Sequence, residues 1–283
     1  MIKLEHCVLP SPEQMEFIIE GMRNPKNSWD RSDSETYAAI GKFNLSNCEE
    51  ISITDFLLGK NDHELMSCLA KAGTEHRKYM RMMPVYVRIT APLYWWKEFD
   101  TYKIGTVRNS CSTMHKITEK EFALDDFSTE HLIKGALLPF KKEIGFLNEL
   151  RNWFLKYDHM NDSDKSHFDS MIKSKKDIWW QLIQLLPSSY NQTANVMLNY
   201  EVLCDIYRQR KNHKLDEWRE FCEFIEHLPY SELITYRPTI KDKVKDFMEY
   251  LKRKAKKDSR EDYISWIDDC WEEEFEKFEN ECA

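Results

Sequence analysis

"SSYNQTANVMLNYEVLCDIYRQRKN" (residues 188–212) is the stretch on which the fold turns. It holds no glycine and no proline, and it reads as one long helix over 192–212. Asn195, Asn199, Val202 and Ile206 recur at i, i+4, i+7 and i+11, which on a helix puts them on one face. Asparagine is a mediocre helix former, so two of them beside Val and Ile imply a partner for their amides. Towards its end the stretch gathers Asp205 and Arg210, with His213 just beyond. Just upstream, "DIWWQLIQLLP" (177–187) reads as an apolar helix stopped near Pro187. Downstream, "LDEWREFCEFIEHLP" (215–229) reads as an amphipathic helix.

Working outward, "MPVYVRITAP" (83–92) alternates β-branched and aromatic residues and predicts a strand over 85–90. "KLEHCVLP" (3–10) reads as an opening strand. "SPEQMEFIIEGMRN" (11–24) reads as a helix capped by Ser11, with Pro12 first and Glu13 in the first turn. Residues 24–34 read as a polar loop. "ITDFLLG" (53–59) and "NDHELMSCLAKAG" (61–73) read as two short helices, the second capped by Asn61 or Asp62 and ended by Gly73. "TEHLIKGALLPF" (129–140) and "KKEIGFLNELRNWFLKYD" (141–158) are helical by the spacing of Ile144, Leu147, Leu150 and Phe154. A polar connection, "MNDSDKSHFD" (160–169), follows. The sum is a helix-rich α+β domain over 1–235, a small, mostly antiparallel sheet with packed helices. A basic run (241–260) and an acidic aromatic run (261–280) then make 236–283 a charged helical extension.

Composition narrows the function. The chain has 283 residues, 42% apolar and 32% charged, with only 7 glycines, which fits a globular protein rather than a disordered one. Its net charge of −8 disfavours a general nucleic-acid binder. Eight cysteines without a C-x-x-C pair, and no apolar leader, point to free thiols in a reducing cytoplasm. No apolar run is long enough for a membrane span. Neither a P-loop, a G-x-G-x-x-G, a G-x-S-x-G nor an H-E-x-x-H occurs, and no histidine pairs at metal-ligand spacing, so no metal site is expected.

Two polar concentrations remain. In "DTYKIGTVRNSCSTMHKI" (100–117), Lys103, Arg108 and Lys116 with interleaved hydroxyls have the chemistry to bind phosphate, and equally that of an ordinary surface loop. The second is the 192–212 helix with Asn199, Asp205, Arg210 and His213, or else a helix with a solvated polar face. Cys111 lies near Arg108 and His115, but no local base and orienting group mark it as a nucleophile.

Together with the preceding strand, these regions resemble the flavin-dependent thymidylate synthases of the ThyX type. That family has a strand running to a proline, then a helix, an R-H-R triplet and a Ser/Asn-rich turn ending in S-x-R. Here stand "VYVRITAP" with Pro92, the triplet position Thr101-Tyr102-Lys103, and "IGTVRNSCST", in which Asn109 and Ser112 match once one residue is inserted. His76 falls at the distance of a flavin-contacting histidine upstream of the strand. Pro187, Asn199, Arg210 and His213 match a downstream leucine-proline and a helix reading N-x-R-S-L-M-N-F-L-x-L-R. The resemblance covers 72–229.

The resemblance implies a ThyX-like fold, a homotetramer and a reductive one-carbon transfer to a pyrimidine nucleotide such as dUMP. It implies FAD as cofactor, with methylene-tetrahydrofolate and NADPH as co-substrates. It assigns His76, Lys103, Asn199, Asp205 and His213 to the flavin. It assigns Arg108, Asn109, Ser112, His115 and Arg210 to the substrate, with Arg210 and Ser112 closest to the chemistry. The departures sit on the phosphate side: Glu98 replaces a phosphate-contacting glutamine, Met114 and Ile183 replace arginines, and the triplet keeps only Lys103. Asp205 stands where the family has a second asparagine. These losses also admit a second function, in which the fold is kept as a binding or assembly module.

Overall fold

In "TANVMLN" (193–199), Ala194, Val196 and Leu198 are buried while Asn195 is exposed, the period-2 pattern of a strand. The computed structural model describes residues 1–40, 52–161 and 172–235, with Lys165, Met248, Leu251 and Lys254. The chain divides into two units, Met1–Thr235 and Tyr236–Ala283. Most of the polar connection over 160–169, and the charged segments after 235 save three isolated positions, lie outside the described residues.

Strands β1 (Lys3–Val8), β4 (Pro84–Pro92), β5 (Val107–Ser110) and β6 (Asn191–Asn199) form one antiparallel sheet in the order β1-β4-β6-β5. Strands β2 (Glu35–Ile40) and β3 (Ser52–Leu57) make a separate two-stranded ladder. The helices are α1 (Pro12–Arg23), α2 (Lys60–Lys71), α3 (Lys78–Arg81), α4 (Leu93–Phe99), α5 (Thr113–Lys116), α6 (Lys134–Lys156), α7 (Lys175–Leu185), α8 (Tyr200–Arg210), α9 (Asp216–Glu226) and α10 (Glu232–Thr235). The expected helix-rich α+β architecture with a small antiparallel sheet is therefore present.

The long helix expected over 192–212 is corrected: it is two elements, β6 and α8, joined without a loop residue. Asn199 is the joint. Its backbone stays extended while its side-chain Oδ1 accepts from Val202 N at 3.0 Å, as an N-cap. Asn195 and Asn199 therefore do not share a helical face with Val202 and Ile206. "ITDFLLG" is also not a helix. Ser, Ile and Thr disfavour helix, and Ser52–Leu57 pairs with Glu35–Ile40 along its whole length. Residues 129–158 supply a single helix, α6, with Pro139 inside it. The polar stretch 100–117 contains the short strand β5 and one helical turn, α5. Helix α2 is preceded by Gly59 rather than capped by Asn61 or Asp62.

The sheet has two unlike faces. Val85, Val87, Ile89, Ala194, Val196 and Leu198 are buried with the aromatic set Trp95, Trp96, Phe99, Trp218 and Phe221. Trp95 joins α4 to α9, its ring 4.8 Å from that of Trp218 and 5.0 Å from that of Phe99. The opposite face carries Tyr86, Arg88, Asn109, Val107 and Asn195, all exposed. A second core, holding Phe122, Phe127, Ile144, Leu147, Ile178 and Leu182, lies between α6 and α7. Ile183 packs against that core, so its place is structural.

Candidate functional site

Pro92 ends β4 and begins α4 directly, so the sheet fixes where Glu98 emerges. The 100–106 turn then passes Asn199. Gly105 holds φ +78° there, and a Cβ on it would sit 2.9 Å from Asn199 Nδ2 and 3.1 Å from Val202. Only glycine meets both demands, the left-handed backbone and the close approach. The last turn of α8 and the start of α9 complete the place, bringing Gln209, Arg210, His213 and Trp218 to Glu98 and Tyr102.

Glu98 is the hub of this cluster. Its Oε2 accepts from Arg210 Nη1 at 2.8 Å and from Trp218 Nε1 at 2.8 Å. His213 Nε2 lies 3.5 Å from the same oxygen. Leu215 N donates to His213 Nδ1 at 3.2 Å, so the neutral imidazole carries its proton on Nε2, towards Glu98. Arg210 Nε donates to the Tyr102 hydroxyl at 2.9 Å, and that hydroxyl donates to Gln209 Oε1 at 2.9 Å. The guanidinium stands 4.8 Å from the Trp218 ring centroid and 5.7 Å from that of Tyr102, a cation–π arrangement. The side chains of Arg210 and Glu98 keep 18% and 35% of their surface, so the pair is reachable from solvent.

A second hub lies at the β5 edge. Arg108 Nη1 donates to Asp100 Oδ1 at 2.7 Å, its Nη2 donates to Gln192 Oε1, and its guanidinium lies 4.0 Å over the Trp96 ring. Gln192 Nε2 in turn donates to the Cys111 carbonyl at 3.0 Å and to Thr113 Oγ1 at 2.8 Å. Strand alternation sends the neighbouring Asn109 to the opposite face, where it pairs with Asn195 in the ladder. One chain thus presents Arg108 and Asn109 on opposite faces of the sheet.

The remaining expected residues are spread out. Ser112 caps α5, its Oγ accepting from His115 N at 3.3 Å while its own proton stays free to donate. Lys103 and His115 are exposed. His76 is exposed, 3.9 Å from Glu75. Asp205 is paired with Arg208 at 2.9 Å on α8. Met114 is exposed, and its carbonyl accepts from Trp179 Nε1 at 2.9 Å. Beside His76, Arg77 Nε lies 3.4 Å from Glu201 Oε2 in the first turn of α8. Burial pushes the Glu201 carboxyl above its ordinary pKa, against the pull of Arg77. The sequence reading missed Gln192 and Trp218 and took Tyr102 only as a lost histidine. The signal for Gln192 was its place in the period-2 run; nothing local marked Trp218. Among the described residues no group of three or more metal-ligating side chains occurs. No helix is long and apolar enough to cross a membrane, again among the described residues.

No family model and no curated protein sequence matches the chain. Solved structures do. It is similar to a flavin-dependent thymidylate synthase ThyX from Helicobacter pylori complexed with FAD and dUMP, at a TM-score of 0.51 and 14% identity over 83% of this chain and 97% of that one. A second structure of the Helicobacter pylori enzyme with FAD and dUMP gives a TM-score of 0.50 and 13% identity, over 83% of this chain and 96% of that one. At such identities the likeness establishes the fold, which is that of the flavin-dependent thymidylate synthases.

Proposed function

We propose that this chain is a flavin-dependent enzyme that transfers a one-carbon unit reductively to the ring of a pyrimidine nucleotide or a close relative of one. The observation that carries the reading is the convergence of Glu98, Tyr102, Arg210 and His213 at one solvent-reachable place, on a fold shared with enzymes complexed with FAD and dUMP. Arg210 would donate to a pyrimidine carbonyl and stabilise negative charge developing on its oxygen. Ser112, Arg108, Asn109 and His115 are the further candidates for lining the substrate, Asn109 only by way of another copy of the chain.

FAD fits the donors present with two exceptions. His76 and Lys103 are exposed and His213 is reachable. Asn199 is buried, with Oδ1 capping α8 and Nδ2 close against Gly105, and it supports the site by fixing that turn. Asp205 offers only acceptors while ionised and is already paired with Arg208. His76, Lys103 and His213 would therefore hold the cofactor, which when bound supplies the hydride. Methylene-tetrahydrofolate and NADPH would serve as co-substrates, and copies of the chain would associate to complete the site. The test is direct. The purified protein should show flavin absorbance bands, or take up FAD in calorimetry, and should release tritium from dUMP labelled at C5. A protein that neither carries nor binds FAD would end the proposal.

A second reading rests on a specific observation: both arginines of the site are tied to carboxylates, Arg210 to Glu98 and Arg108 to Asp100. On that reading the fold serves as a binding or assembly module. Flavin binding with turnover of any pyrimidine would exclude it.

A further inference from the structure

We propose that the cavity between the start of α1, β3 and the turn before α10 is a second binding site, for a small organic cation whose ammonium nitrogen is fully alkylated. It is independent of the flavin reading, because the cavity shares no residue with the Glu98 cluster or with the residues assigned to FAD. Its volume is about 180 Å³. Pockets for drug-sized ligands run to roughly 300–1,000 Å³, so only a small group fits here. Phe56, Tyr200 and Tyr230 line it with three aromatic rings, Met15 and Met83 add apolar surface, and Asp55 adds a carboxylate. No lysine, arginine or histidine is among the described residues that line it. Aromatic faces carry negative potential, and several of them with a carboxylate have the chemistry to hold a cation out of water.

The walls are held in place. Tyr200 is 1% exposed; its amide donates to the Met83 carbonyl at 3.1 Å and its hydroxyl to the Pro229 carbonyl at 2.5 Å. Tyr230 has φ +55°, a left-handed backbone that tyrosine seldom adopts and that the surrounding structure must enforce. The charges agree with the lining. Burial raises the pKa of both tyrosine hydroxyls, Asp55 and Glu232 push Tyr230 further up, and Cys7 and Glu232 act on Tyr200 in the same sense. No basic group pulls either hydroxyl back down, although Glu232 is itself partnered by His63 at 2.7 Å.

The acceptors decide the class of cation. Asp55 Oδ1 already accepts from Phe56 N at 2.8 Å, and Oδ2 accepts from the Tyr37 hydroxyl at 3.2 Å. A calcium or magnesium ion needs several oxygen ligands, and a primary ammonium brings three N–H donors that each need an acceptor. A quaternary ammonium brings charge and no donor, so rings and one engaged carboxylate satisfy it without leaving a hydrogen bond unmade.

Calorimetry on the full chain tests this with three probes: choline, tetramethylammonium, and the neutral isostere of choline in which a tert-butyl group replaces trimethylammonium. Both cations should bind, and the neutral isostere should bind about tenfold more weakly than choline. Asp55→Asn should weaken choline by about tenfold and leave the isostere unchanged. Tyr230→Leu should abolish the preference for the cation and Tyr230→Phe should keep it, with circular dichroism unchanged in both; a merely structural tyrosine would not move that preference. Equal binding of choline and its isostere by the native chain would make the cavity an apolar crevice and overturn the assignment. So would the absence of binding by both cations at millimolar concentration, or a preference that survives Tyr230→Leu.

Discussion

Asp62 has no exposed surface, yet its place in the chain is ordinary, in the first turn of α2. It accepts from Arg23 Nε at 2.5 Å, Ser32 Oγ at 2.8 Å, Ser34 Oγ at 2.6 Å and the amides of Asp33 and Ser34 at 3.1 and 3.0 Å. Burial alone would raise its pKa; the bonds from Ser34, Ser32 and Arg23 outweigh burial and hold the carboxyl below its ordinary value. A lowered folded-state pKa contributes stability that is complete above the unfolded value and is lost as pH falls through the folded one. For an aspartate that loss begins below about pH 4. Asp62→Asn should cost about 3–5 kcal/mol at neutral pH, because Arg23 is left buried without its carboxylate. Urea melts at pH 7 and pH 3 should show a larger acid loss for the native protein than for the variant. Equal losses would mean that Asp62 is not the group being titrated.

At the scale of elements, the decisive feature is the passage from β6 to α8 with no loop between them. Asn199 ends the strand and caps the helix, and Gly105 crosses it closely enough that no side chain fits. Asn199→Ala should cost about 1 kcal/mol through loss of the cap. Gly105→Ala should cost about 1–2 kcal/mol from the left-handed backbone alone, with more from displacing the Asn199 amide. Because both act on one joint, the double variant should cost less than the two added together, as a double-mutant cycle in urea would show. Full additivity would mean that the turn and the cap are independent.

The same joint explains what the sequence could and could not tell. The strand at Val85 and its neighbours was legible because β-branched and aromatic residues alternate there. In "TANVMLN" the alternation is equally present but runs straight into a helical spacing, and Asn199 belongs to both patterns. Local periodicity cannot mark where one period yields to the other; only pairing with β4 does. In the site, Arg210 and His213 were found through the resemblance. Glu98 was seen as a loss, when it is the acceptor on which the cluster is built, and its donors lie more than a hundred residues away in sequence.

For the α+β unit over 1–235, the sheet's open face is the feature that a single chain leaves unresolved. Tyr86 is opposite both Val8 and Met197, and Met197 is opposite Val107, which makes an apolar row across all four strands. Tyr86 is 48% exposed and Val107 60%. The next row sets Glu5 against Arg88 and Asn195 against Asn109. An exposed apolar row of this kind commonly marks an association surface. A second copy related by a two-fold axis would cover the apolar row with its own and oppose Glu5 to Arg88, so self-association is the expected use of this face. It would also take Asn109, which one chain turns away from Arg108, into the contact between copies. Sedimentation velocity should therefore return at least twice the mass of one chain. Tyr86→Asp combined with Val107→Asp should return a single chain with unchanged circular dichroism, since neither side chain belongs to the core. A native protein that sediments as one chain, or a variant that stays assembled, would assign the open face to something other than a second copy.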